Sequence, residues 1–359
     1  MKHPLRTALA MAAAPLVAFG YPGCGGTSTT NSPAAPGGTG TAAATDVPTV
    51  YDGVESALPS GFEEPVKKDG FTFTIGYPNP SAAVPALKAQ QDAVEEEVKR
   101  LGGKLITTDA NLSVQKQVTD FEQLLNQNVD AIILSSLDPN SLKPLLKKAA
   151  AKGVKVYAND VPYKAGLDQI DGFSSTILSG TDQSGFARAK YIAETKPGAR
   201  YALLGISIPA PMLDYMVSTV KDWGTKFGLQ YVDRIDAKSD SPEAAADAAS
   251  ALLARHKGLD VIFAASDSEA LGAAQAVKRS NRNVLVVGNG GYAQGIRAIE
   301  KGDIAATYWT NSRALHRQLV WAAYNDLTKQ HQPQPAQAVL TDGILVTKDN
   351  AGSIADPIG

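Results

Sequence analysis

From about residue 71 onward, apolar positions follow two alternating patterns. The runs Phe71–Gly76, Leu105–Thr107, Ala131–Leu134 and Val154–Ala158 have the length and continuity of buried strands. Between them the apolar positions return at helical spacing. Val84, Leu87, Val94, Val98 and Leu101 mark one face, and Val114, Val118, Phe121, Leu124 and Leu125 a second. Leu142, Leu145, Leu146 and Ala149 mark a third, with Gly153 where a left-handed C-terminal cap belongs. A less regular stretch, Tyr163–Gly180, interrupts the alternation. It restarts with a helix over Phe186–Thr195 and strands at Tyr201–Leu204, Leu229–Ile235, Val261–Ala264, Val284–Val287 and Ile304–Trp309. Helices are predicted over Met212–Phe227, Pro242–Arg255, Glu269–Arg279 and Ala293–Lys301, and a long amphipathic one over Arg313–Lys329. After the polar, Pro-rich turn His331–Gln337, Ala338–Val346 closes the pattern with strand-like runs.

Strand and helix in strict alternation predict an α/β fold with parallel sheets, in two sets of βα units separated near Ile170–Gly180. The helix over Arg313–Lys329 follows a strand that could carry the chain back to the first set. In open sheets of this kind ligands sit beyond the carboxyl ends of the strands. The loop Tyr77–Pro80 and its counterparts are therefore where function is sought.

The length, 359 residues, is enough for two well-buried domains. A formal net charge of −2 gives no electrostatic footprint for nucleic acid. No internal apolar run approaches the ~18 residues of a membrane span. The N-terminus differs from the rest. Lys2 and Arg6 precede an apolar stretch, Ala8–Phe19, of the length of an export-signal core. Cys24 follows, the one cysteine of the chain, with Gly23 before it and Tyr21 and Pro22 further upstream. A single thiol cannot close an internal disulfide or build a multi-cysteine metal site. In this place Cys24 resembles the lipidation cysteine of bacterial lipoproteins, although Tyr21 and Pro22 stand where aliphatic and small residues are usual. Gly25–Ala44, rich in Gly, Ser, Thr, Ala and Pro, reads as a flexible tether, and Asp46–Lys68 as an irregular lead-in packing on the first lobe.

No catalytic constellation assembles. Gly288-Asn289-Gly290-Gly291-Tyr292-Ala293 matches G-x-G-x-x-A between a strand and a helix. A dinucleotide site also needs an acid about 20 residues on, and none stands between Asp303 and Asp326. The motif reads instead as a tight turn needing glycine dihedrals. Gly205-Ile206-Ser207-Ile208-Pro209 begins like a nucleophile elbow but has Pro where the second Gly belongs. The histidines are His3, His256, His316 and His331, and none lies in a strand-end loop beside Ser207.

The strand-end loops do carry polar and aromatic groups: Tyr77 and Asn79, Ser135, Ser136 and Asp138, Asn159 and Asp160, Ser207, Ser266 and Asp267, Asn289, then Trp309, Thr310 and Asn311. That mixture suits a small polar ligand held between lobes. Several of these also read as turn formers or caps, Asp138 and Asp182 in particular, while Asp267 could equally cap the next helix and Trp309 could pack in a core. The loops carry Asp138, Asp160 and Asp267, with Lys164 and Arg313 the nearest bases. Carboxylate and phosphate recognition usually recruits Arg, so a neutral or cationic ligand is favoured.

Over about Phe73–Val346 the pattern resembles the periplasmic sugar-binding proteins of the ribose/galactose-binding type, substrate-binding subunits of ABC importers. The stretches that carry the resemblance are Ile75–Pro80, Asn128–Ile133, Gly153–Val156, Phe263–Ala273 and Val286–Gly288. It implies a type I periplasmic-binding-protein fold: two Rossmann-like lobes joined by a three-strand hinge, with crossovers near Gly172–Ser175, Thr310–Ser312 and Leu340–Gly343. The implied organisation is a lipoprotein signal and lipobox over 1–24 and a tether and lead-in over 25–70. The N-terminal lobe takes 71–172 plus 312–338 and the C-terminal lobe 173–310 plus 340–350.

Family binding positions match at Asn79 and Asp160, and the family's Asn-Asp before Ala-Leu-Gly stands here as Ser266-Asp267. Elsewhere the chain departs. Val161 stands where an Arg often follows the Asp, and a second usual Arg is replaced near Leu213. An Asp is replaced near Gly290, beside Asn289, and a Gln or Asn near the second crossover is Thr310. Those losses disfavour a pentose in its usual pose. Another sugar, a polyol or a small aromatic or cationic solute fits them.

The expected ligand-binding set is Tyr77, Asn79, Asp160, Ser207, Ser266, Asp267, Asn289, Trp309 and Asn311, with Cys24 lipidated and neither catalytic residue, cofactor nor metal. The expected protein is a monomeric, extracytoplasmic, membrane-anchored solute-binding lipoprotein taking a sugar or polyol to an ABC permease, without nucleic-acid partners. A sensor presenting its closed form to a membrane receptor, and a hydrolase on the same scaffold, are the alternatives.

Overall fold

The computed structural model describes residues 49–53, 58, 60–168, 170–208, 210–331, 337–339, 343–354 and 357–358. The segments read as export signal and tether, and Cys24 with them, lie outside the described residues. The first lobe begins with β1 (Thr74–Asn79), α1 (Pro85–Arg100), β2 (Lys104–Asp109), α2 (Val114–Asn126), β3 (Ala131–Ser135), α3 (Lys143–Ala151), β4 (Lys155–Asn159) and β5 (Ser175–Leu178). The second lobe takes α4 (Thr181–Thr195), β6 (Arg200–Ile206), α5 (Pro211–Lys226), β7 (Gln230–Ala237), α6 (Pro242–Arg255), β8 (Val261–Ala264), α7 (Asp267–Ser280), β9 (Leu285–Val287), α8 (Ala293–Lys301) and β10 (Thr307–Trp309). The chain then returns through α9 (Ser312–Thr328) and β11 (Gln337–Val339), and crosses again to β12 (Ile344–Val346).

The first sheet runs β11-β5-β4-β3-β1-β2, all parallel. Helices cover both of its faces, so its middle strand β3 is buried at every residue. One face is filled by Ile75, Tyr77, Val98 and the α9 residues Leu319 and Tyr324. The other holds Phe121, Leu124, Ile132 and Leu146. The second sheet, β7-β6-β8-β9, is also parallel. Bridges Val287–Ala306 and Gly290–Trp309 extend it to β10, which pairs antiparallel with β12. Its two cores centre on Leu204, Leu252 and Ile262, and on Tyr201, Trp223 and Phe263.

Three expectations need correction. β1 does not end at Gly76 but runs to Asn79, pairing with β2 through Asn79–Asp109, so Tyr77 and Asn79 are strand residues. Pro78 is tolerated there because β1 pairs with β3 only at Ile75 and Gly76, so its missing N–H lies beyond that ladder. Ser175–Leu178, inside the stretch read as irregular, is a buried strand of the first sheet paired to β4. The first lobe therefore continues to Leu178 instead of ending at 172, and the crossover falls at Ser179–Gly180. Half of that strand is Ser and Thr, which hid it from an apolar pattern. Asp182 is not a cap: its carboxylate accepts from the Trp223 indole N–H and the Tyr51 hydroxyl, both at 3.0 Å.

That contact seats Tyr51 on the second lobe, against Phe186 and Trp223. Phe62, further along the same lead-in, is buried in the first-lobe core. The Asn325 amide holds the backbone there by donating to the carbonyls of Gly61 and Glu63.

Asp267, the first residue of α7, is fully buried inside the second lobe. It accepts from the Tyr292 backbone N–H at 2.6 Å and the Thr307 hydroxyl at 2.5 Å, tying the β9–α8 turn and β10 to α7. Gly288 is required beside it, since a Cβ there would come within 2.2 Å of the Asp267 carboxylate. The G-N-G-G-Y-A stretch is indeed a tight turn, with Gly290 and Gly291 at φ 122° and 75°. Burial pushes the Asp267 carboxyl up to about 6, against the opposing pull of Thr307, the neighbouring backbone N–H groups and the Arg188 charge. The folded protein thus holds this proton at pH values where the unfolded chain has released it. The resulting contribution favours folding at low pH and is lost as the pH rises through about 6. Asp267→Asn removes that titration. Unfolding midpoints measured from pH 4 to pH 8 should show the variant gaining on the parent across this window, by on the order of 3 kcal/mol.

Candidate functional site

A cavity of about 260 Å³ lies between the lobes, beyond the carboxyl ends of both sheets. It is smaller than the ~300–1,000 Å³ of sites for drug-sized ligands, which suits a monosaccharide-sized solute. The first lobe presents Ser135 at the end of β3, Asn159 and Asp160 at the end of β4, and Ser179 after β5. From the second lobe come Asp240 after β7, Ser266 after β8 and Asn289 after β9. Gln90 of α1 and His316 of α9 reach the same space.

Ser135 is the hub of the floor. Its hydroxyl stands 2.7 Å from Asn159 Oδ1, 3.1 Å from Gln90 Oε1 and 3.1 Å from His316 Nε2, with the Tyr77 hydroxyl at 3.4 Å. Asn159 is oriented by donating its amide to Asp160 at 3.0 Å. His316 Nδ1 lies 2.8 Å from the Ser312 carbonyl, to which it donates. Burial pushes the imidazole down to about 4, so it is neutral at physiological pH and Nε2 is an acceptor.

Asp160 adopts a left-handed backbone, φ 51°. Its carboxylate accepts from the Ser179 N–H at 2.8 Å, the Ser179 hydroxyl at 2.9 Å and the Asn159 amide. Burial still raises its pKa; the three hydrogen bonds oppose the shift. A carboxylate offers about four acceptor positions, so one direction remains for a ligand. Asp240 accepts from the Ser266 hydroxyl and is likewise raised by burial. Ser266 also caps α7 through the Glu269 N–H. No Lys or Arg is among the described residues that line the cavity. Apolar side chains form the rest of the wall, among them Leu87, Leu137, Ile206, Ile208, Leu213 and Met216.

Of the nine expected ligand positions, Asp160, Ser266 and Asn289 line the cavity. Asn289 is largely engaged internally, accepting from the Ser184 hydroxyl at 2.8 Å and donating to Met216 Sδ at 3.0 Å. The other six are placed elsewhere. Tyr77 lies in the first-lobe core behind Ser135. Asn79 is buried and shapes the next loop, donating to Gln91 and accepting from the Ser81 N–H. Ser207 is exposed at the end of β6. Asp267 is the internal lock described above. Trp309 packs against the second-lobe core, and Asn311 caps α9 through the Ala314 N–H. Gln90, His316 and Asp240 were missed. Gln90 and His316 sit on helices, where strand-end reasoning does not look, and Asp240 follows a strand read as ending two residues too early. Leu213, Gly290 and Thr310, positions at which the chain departs from the family pattern, all line the cavity, whereas Val161 is buried in the first-lobe core.

Ser135 and His316 stand at the separation of a nucleophile and its base. The base is a poor one at about 4, its second nitrogen is held by a carbonyl rather than a carboxylate, and the serine hydroxyl is shared among other acceptors. The arrangement serves recognition better than catalysis.

Residues 75–331 match the family described as periplasmic binding protein domain. The chain is 28% identical over 242 residues to a ribose import binding protein of Bacillus subtilis, covering 66% of this chain and 75% of that one. It is 25% identical over 231 residues to a D-xylose-binding periplasmic protein of Escherichia coli, covering 61% and 67%. Among solved structures, the myo-inositol binding protein of Caulobacter superposes with a TM-score of 0.70 at 20% identity, covering 81% of this chain and 98% of that one. The arabinose-binding component from Shewanella sp. ANA-3 gives 0.71 at 21% identity, covering 78% and 93%. With two parallel-sheet lobes, a cleft at their strand ends and a family match over most of its length, the chain belongs to the periplasmic binding protein family.

Proposed function

We propose that the protein captures a small neutral sugar or polyol outside the cytoplasm and delivers it to an ABC permease, as a monomer held to the membrane through lipid on Cys24. The observation that supports this most is the composition of the cleft wall: two carboxylates, a neutral histidine and side-chain amides, with no cation among the described lining residues. Such a wall accepts hydrogen bonds from hydroxyls and repels carboxylates and phosphates. The names of the relatives, which include ribose-, xylose- and xylitol-binding proteins, agree with it.

Contacts across the cleft mouth support closure on the ligand. Ala89 of α1 packs against Tyr292 and Ile358. A ligand touching both lobes stabilises this apposition over an open state.

Thermal unfolding against sugars, polyols, acids and amines tests the reading. A ligand at ~100 times its dissociation constant adds about 2.7 kcal/mol, and a sugar or polyol should raise the midpoint, whereas no response to any of them would overturn the proposal. Asp160→Asn should weaken the responding ligand roughly 10–100-fold in calorimetric titration. Affinity should also fall as the pH drops through about 4, where His316 gains a proton and turns from acceptor to donor. For the anchor, Cys24→Ser should move the protein from the membrane to the soluble fraction on cell fractionation.

A further inference from the structure

The cleft carries acceptor groups from both lobes and an apolar stretch on the second. Acceptors gather at the floor and hinge side: Asn159, His316 and Asp160 from the first lobe side, Asp240 from the second. The second-lobe wall between the end of β6 and the first turns of α5 is hydrocarbon, formed by Ile206, Ile208, Met212, Leu213 and Met216. Of the two thioether sulfurs in this wall, Met216 Sδ accepts from the Asn289 amide at 3.0 Å.

The floor has a surplus of acceptors. Asn159 donates through its amide to Asp160, and its Oδ1 faces Ser135. His316 spends its ring N–H on Ser312, which leaves the Nε2 lone pair facing the same hydroxyl. Ser135 carries one hydrogen and cannot fully satisfy both. A ligand hydroxyl arriving here supplies the missing donor. Against this wall a ligand hydroxyl would lose its water among the side chains of Ile206, Ile208, Leu213 and the two methionines.

We propose that the ligand is a neutral sugar or polyol with one hydrocarbon flank, a deoxy or C-methyl position where a fully hydroxylated sugar carries a hydroxyl, and that the wall centred on Leu213 selects that flank. This rests on the solute-binding reading above and narrows its substrate class. Leu213 is a specificity-determining residue in this assignment, and the hydroxyl edge of the ligand is read by Asn159, His316 and Asp160.

Calorimetric titration with matched probes tests it: D-galactose against D-fucose, L-galactose against L-fucose, L-mannose against L-rhamnose, and D-galacturonate as the acid. The deoxy member of a binding pair should bind at least ~10-fold tighter than its parent, in line with the discrimination one group confers in an apolar pocket, and galacturonate should not bind. Leu213→Asn should bring the paired affinities together while the unfolding midpoint of the free protein stays in place. If that variant does not fold, Ile208→Thr on the same wall carries the test. Parents binding as tightly as their deoxy partners, or tight binding of galacturonate, would overturn the inference and leave solute binding standing. Silence with every probe, and with the wider panel, would overturn both.

Discussion

Burial of both faces of two parallel sheets is the constraint on which the rest of the structure depends. A parallel sheet needs crossover helices, and helices on both sides leave the strands no exposed face. β3 shows the consequence, since all five of its residues are buried. Away from the edge strands β2 and β7, polar side chains can then meet solvent or ligand only towards the strand ends. Ser135, Asn159, Ser179, Asp240, Ser266 and Asn289 all stand at or just beyond such ends. The cleft is what remains when two sheets present their carboxyl ends to each other.

The price of placing polar groups there is desolvation, and the structure meets it with hydrogen bonds rather than ion pairs. Asp160 is raised by burial but held by Ser179 and Asn159. Ser266 holds Asp240 while capping α7. His316 avoids the cost by staying neutral. A cleft built this way is rich in acceptors and poor in charge compensation, which is why its chemistry points towards hydroxyl donors. Asp267 follows the same logic inside the second lobe, where it serves the fold and not the ligand.

Segments outside the sheets join the two lobes at further points. The lead-in touches the second lobe through Tyr51 and the first through Phe62. Near the C-terminus, Ile358 exchanges backbone hydrogen bonds with the β9–α8 turn while packing against α1 across the cleft. The two lobes are therefore joined by more of the chain than its crossovers.

Local pattern determined most of the architecture. Apolar runs and helical spacing placed nearly every strand and helix, because a buried parallel strand and an amphipathic helix each leave a periodic record in the chain. The pattern lost β5, whose Ser175 and Thr176 are buried by their neighbours rather than by their own hydrophobicity. Site residues were legible only as a neighbourhood. Sequence order could say that Tyr77, Asn79, Trp309 and Asn311 lie near strand ends, but side-chain direction alternates along a strand, and one residue of phase decides between core and cleft. Gln90 and His316 reach the cleft from helices far apart in sequence. Their convergence on Ser135 exists only after α1 and α9 have packed against the first sheet, so tertiary packing alone decided it.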